Sequence, residues 1–184
     1  MHDGLIVTTL MGEIENQLTL YGLTDFRVSR SQQPTNQHSG ASSLTEKYQI
    51  FIFQHTQGKV GFGWGYSFDD ESQKFKQKSN HVAIKRYQID FLVDFDPSDE
   101  LTIPAYDLAE DLSNILQHPD SIRNLRLKGV SLLSCSDVRP EFTINDSDLT
   151  GSTPSFDIEI SYTKSYEKEV GVISDVINNK VEGI

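Results

Sequence analysis

The segment Tyr87-Gln88-Ile89-Asp90-Phe91-Leu92-Val93-Asp94-Phe95 decides the fold class, because Tyr87, Ile89, Phe91, Val93 and Phe95 alternate with Gln88, Asp90 and Asp94. Phe156, Ile158, Ile160 and Tyr162 alternate in the same way with Asp157, Glu159 and Ser161. Period-two alternation is the mark of half-buried strands. Between the two segments, Leu108, Ala109, Leu112, Ile115 and Leu116 recur at helical spacing and form one apolar stripe. Two strands and an intervening amphipathic helix make a scaffold without a reactive group on it. Function therefore has to follow from what such a scaffold assembles into.

Working outward, Asp3 is placed to cap a helix in which Ile6, Leu10, Ile14 and Leu18 recur every four residues up to Tyr21 and Gly22. Ser29 to Thr45 is polar and small, and reads as a long loop. Tyr48 to His55 is apolar on both faces, as in a strand covered from both sides. In Val60 to Phe68, the residues Val60, Phe62, Trp64, Tyr66 and Phe68 fall on one face and Gly61, Gly63, Gly65 and Ser67 on the other. Either another backbone or subunit lies against the bare side, or the segment is a bend or a hairpin arm. Asp69 to Lys78, with Lys74, Lys76 and Lys78 alternating, reads as a hairpin tip or loop. Pro104 starts the central helix and His118-Pro119 ends it, with Arg123, Arg126 and Lys128 following. Val130 to Val138 is the next strand, and Arg139 to Ser155 a second long polar loop.

The expected architecture is α+β, a single domain of mostly antiparallel or mixed β-sheet packed by two amphipathic helices. The domain spans residues 1–165, and residues 166–184 form an extended C-terminal arm of β-branched residues, a short helix being the competing reading.

A chain of 184 residues with 36% hydrophobic residues is long enough to bury a core without staples. The single Cys135 excludes a disulfide framework within one chain. No apolar stretch is long enough to span a bilayer, and Met1 to Leu10 lacks the pattern of a secretory signal, so a soluble, unsecreted protein is expected. Residues 1–89 hold 9 Lys plus Arg against 8 Asp plus Glu, whereas residues 90–184 hold 7 against 19. The acidity lies in the second half and argues against a chain that grips phosphate backbones.

Catalytic patterns are missing. His2, His38, His55, His81 and His118 have no metal-ligand spacing and read as surface or edge residues. Cys135 has no base beside it in sequence, and no nucleophile elbow, P-loop or dinucleotide fingerprint occurs. Asp146, Asp148, Thr150, Gly151 and Asp157 imitate a calcium loop, but Pro154 interrupts it and a strand follows where a helix belongs. An Asx-rich turn accounts for the same residues. No enzyme, metal or cofactor is expected.

The order of elements resembles the tail terminator, or neck terminator, proteins of tailed bacteriophages. The similarity rests on Ser31-Gln32-Gln33-Pro34, Arg86 to Phe91, Ala105 to Leu112, Pro154 to Ile158 and Glu169-Val170-Gly171-Val172-Ile173. Residues 56 to 80 have no counterpart in that pattern. The resemblance implies a virion structural protein, a homohexameric ring that caps the tail tube and joins it to the head completion or connector proteins. Its partners would be further copies of itself, the tube protein and the connector, with DNA passing through the lumen without specific binding and no membrane involved. Tyr166, Val170, Val172, Ile173, Val176 and Ile177 are the candidate subunit-interface residues. Another head-tail adaptor or minor tail protein is the alternative, and a small-molecule-binding or hydrolytic protein with a pocket around His55, Trp64 and Tyr66 a more remote one.

Overall fold

The computed structural model describes residues 3–31, 46–69, 74–94, 98, 102–140, 142–144 and 150–170. Helix α1 (Asp3–Tyr21) is followed by strands β1 (Phe26–Ser31), β2 (Tyr48–Asp69) and β3 (Lys74–Val93). Helices α2 (Ala105–Gln117) and α3 (Pro119–Leu127) lead to β4 (Val130–Cys135), β5 (Phe142–Ile144), β6 (Thr150–Ser152) and β7 (Ser155–Val170). The main sheet has the order β1-β2-β3-β7-β4, while β5 and β6 form a separate two-stranded hairpin. The β1–β2 pair is parallel and the other pairs are antiparallel, so the fold is the α+β mixed sheet that the alternation implies.

One face of the sheet carries the core. Ile50, Ile52, Tyr87, Ile89, Phe91, Phe156, Ile158 and Ile160 are buried there, with the rings of Phe91 and Phe156 stacked at 5.7 Å. Against them lie Ile6, Leu10, Ile14 and Leu18 of α1 and Leu108, Ala109, Leu112 and Leu116 of α2. Each fully buried aliphatic side chain contributes about 1.5–3 kcal/mol of transfer free energy, which makes this layer the main source of stability. Phe51 and Phe53, on the opposite face, are half-buried. The strand at Tyr48 is therefore covered from one side, because the helices pack on a single face.

The helix ends follow local chemistry. Gly22 adopts φ +97° and Leu23 N–H donates to Leu18 O at 3.0 Å, which closes α1 with a left-handed cap. Tyr48 Oη accepts from Ile103 N at 3.1 Å and fixes the chain as it approaches α2.

Five segments differ from expectation. Helix α3 replaces the irregular run after His118: Pro119 occupies its first turn, Asp120 favours the positive end of the dipole, and Leu125 is buried. A third helix thus joins the two expected. Strand β1 takes the start of the polar stretch from Ser29, pairing Phe26–Ser31 with Tyr48–Phe53; residues 32–45 lie outside the described residues. The β5–β6 hairpin occupies part of the loop assigned to Arg139–Ser155. Strand β4 ends at Cys135 and β3 at Val93, earlier than the alternation suggested.

A buried polar cluster joins α1 to α3. The Glu13 carboxylate is 1% exposed; its Oε1 accepts from Gln17 Nε2 at 2.8 Å and Asn124 Nδ2 at 3.1 Å, and its Oε2 lies 3.5 Å from Lys128 Nζ. Burying a carboxylate is tolerable only with such compensation.

Candidate functional site

Strands β2, β3 and β7 outrun the helices and continue as a three-stranded ribbon. β1 covers β2 only along Tyr48–Phe53, and β4 covers β7 only along Ile158–Tyr162. Beyond those positions both outer edges of the ribbon are unpaired among the described residues, leaving rows of backbone donors and acceptors that can template another strand.

Two bulges in β2 set which side chains share a face. The register shifts between Gln54 and Thr56 and again between Val60 and Phe62, and Gly61 adopts φ +72° in the second. A glycine in the left-handed region is what this type of bulge uses. Because a one-residue insertion reverses the alternation, Val60 pairs with Val82 on one face, while Trp64, Tyr66 and Phe68 pair with Ser79, Gln77 and Phe75 on the other. The single aromatic face expected from Val60 to Phe68 is thus broken at Gly61, and Val60 belongs to the opposite side.

The face bearing Trp64 continues the helix-covered face of the core, without its helices. Trp64 is 64% exposed, Tyr66 59%, Phe68 46%, Phe75 43% and Tyr166 50%, values that single polar-surface aromatics reach but that rarely occur side by side. They contact one another: Trp64 with Tyr66 at 5.7 Å and Phe68 with Phe75 at 5.0 Å, both edge-on. Tyr166 stacks on His81 at 5.5 Å, and Lys164 Nζ lies 5.9 Å from the Tyr166 ring. The reverse face is bare at Gly63 and Gly65. A Cβ on Gly65 would meet nothing within 4 Å, and one on Gly63 only Asn80 O at 3.9 Å. There, Lys76 and Lys78 stand opposite Glu169 and Glu167 in register.

The candidate interface residues separate. Tyr166 and Val170 lie on the exposed aromatic face of the ribbon, Val170 opposite Phe75. Val172, Ile173, Val176 and Ile177 lie outside the described residues. β7 runs through the boundary drawn between residues 165 and 166. The aromatic partners Trp64, Tyr66, Phe68 and Phe75 were missing from that set; their own alternation in sequence was the available signal.

The remaining chemical candidates are dispersed. His81 is buried, contrary to its reading as a surface residue, because it sits on the central strand beneath Tyr166. His55 and His118 are exposed, the latter 3.6 Å from Asp120, while His2 and His38 lie outside the described residues. Cys135 approaches Ser113 Oγ at 3.2 Å, and burial pushes its thiol pKa up. Asp157 faces Arg139 Nη2 at 3.1 Å, Thr150 and Gly151 belong to β6, and Asp146 and Asp148 lie outside the described residues. No group of three or more potential metal ligands occurs among the described residues. An open groove of about 360 Å³ is lined by Trp64, Tyr66, Lys78 and Asn80, without His55. No helix among the described residues is long and apolar enough to cross a membrane.

A compact α+β core thus projects a sheet ribbon whose edges are open among the described residues and whose rings are exposed. Residues 5–172 match the family model described as E217 gateway protein gp29, and the chain belongs to that family, a family of phage structural proteins. The expected class, a bacteriophage virion component, stands on this match, which reaches a head-tail gateway family and does not extend to the finer expectation of a tail terminator. No curated protein matches the chain.

Proposed function

We propose that the chain is a ring-forming component of the phage head-tail junction, closing the end of the tail tube and joining it to the head completion proteins. The reading is supported above all by the two edges of the ribbon that are unpaired among the described residues, one on β2 and one on β7. Different edges on opposite sides of one element permit a head-to-tail contact, and head-to-tail contacts generate rings when the rotation closes. The work is assembly, with no bond made or broken. Family membership favours the junction over other virion positions. A net charge of −11 would let DNA pass without adhering.

The test is sedimentation and electron microscopy of the purified full chain. Closed rings, sixfold in the expected case, are the supporting result, and removing Tyr166 to Ile184 should weaken them. Monomer at every concentration is the result that defeats the proposal. A ring that binds the connector and ignores the tube would favour the adaptor alternative.

A further inference from the structure

The ribbon concentrates positive charge in an acidic chain. Residues 55–86 and 159–170 hold 8 Lys plus Arg against 6 Asp plus Glu, a net of +2, while the rest of the sequence holds 8 against 21, a net of −13. The register sorts these charges by face. Glu167 and Glu169 lie on the bare side opposite Lys78 and Lys76, so their charges are matched within the ribbon. On the aromatic side β7 places two lysines, Lys164 with its Nζ 5.9 Å from the Tyr166 ring and Lys168 opposite Gln77.

We propose that this aromatic, lysine-flanked face is the docking surface for the acidic body of a second copy of this chain. The assignment rests on the ring reading and specifies the face that a neighbour covers. Clustered exposed rings supply the desolvated centre that protein interfaces need. The two lysines supply a rim whose sign is opposite to that of the body. Rings and lysines also bind single-stranded nucleic acid, but that needs a cationic track along the phosphates. Two lysines on a chain with strong acidity elsewhere make a poor one.

Trp64 is the single tryptophan and lies within the face, so its emission reports directly on whether the face is covered. The full chain is diluted through its assembly range while sedimentation and Trp64 emission are recorded together. The expected result is a red shift on dissociation with the same midpoint as the loss of mass, moving to higher protein concentration as salt is added. Two double variants keep the reporter: Tyr66→Ser with Phe68→Ser, and Lys164→Glu with Lys168→Glu. Each should weaken assembly by about tenfold or more with unchanged circular dichroism, since none of the four side chains belongs to the core.

If rings form while Trp64 keeps a water-exposed emission in the assembled state, or if both variants assemble normally, the docking face is refuted and the ring survives. If the chain stays monomeric throughout, both readings fall. Quenching of Trp64 by a random oligonucleotide without self-association would replace the second copy with nucleic acid.

Discussion

Gly61→Ala tests the origin of the aromatic face. Gly61 has φ +72°, and a Cβ built there meets no atom within 4 Å, so the substitution introduces no clash and leaves only the intrinsic cost of an L-residue in the left-handed region. That cost is about 1–2 kcal/mol, which corresponds to roughly a 5–30-fold change in a local equilibrium. The ribbon opens locally, since its distal part lacks helix cover, so the change should appear as faster amide exchange rather than as global unfolding. Amides of β2 beyond Gly61, and those of β3 that pair with them, should exchange faster by that factor. Those of Tyr87 to Phe91 should not change. Gly61→Asn, which tolerates the left-handed region better, should fall between. Deleting Gly61 should move Trp64, Tyr66 and Phe68 to the face of Lys76 and Lys78. Unchanged exchange in Gly61→Ala, or uniform acceleration across the sheet, would refute the bulge as the device that sets the face.

Glu13→Ala leaves the half-buried Asn124 amide without its acceptor and should cost about 1–3 kcal/mol in urea unfolding, and Lys128→Ala, which leaves the buried Glu13 carboxylate with only its two amide donors, should cost about 1 kcal/mol or more; no effect of either would contradict the cluster's geometry. Leu125→Ala should lose about 2–5 kcal/mol by the same assay, because Leu125 is the fully buried apolar anchor of α3. The Cys135 thiol, raised by burial, should alkylate more slowly than an unfolded control near pH 8 and speed up only at more alkaline pH; reaction at the control rate would show that α2 does not shield it.

Long periodic segments were readable from sequence, and short ones were not. The strands around Phe91 and Phe156 and the helices around Leu10 and Leu112 each carry several apolar residues in phase, and each is found where the pattern places it. α3 offers Ile122, Leu125 and the exposed Leu127 as apolar members of its nine residues, too few to establish a period, although Pro119 and Asp120 were usable start signals. β1 offers Phe26 and Val28, and its strand character comes from pairing beside β2. The ribbon was half legible: alternation around Trp64 showed a strand, but alternating glycines conceal which one carries the bulge. Its third strand was hidden because the polar run after Tyr162 has no apolar period and becomes a strand by pairing with Phe75–Val82 of β3.

β3 runs unbroken from Lys74, at the ribbon's tip, to Val93, deep against α2, a length of roughly 65 Å at the usual rise per residue. Its backbone joins the open tip to the stacked phenyl groups under the helices without a break, so whatever seizes the free end pulls on the same strand that anchors the core.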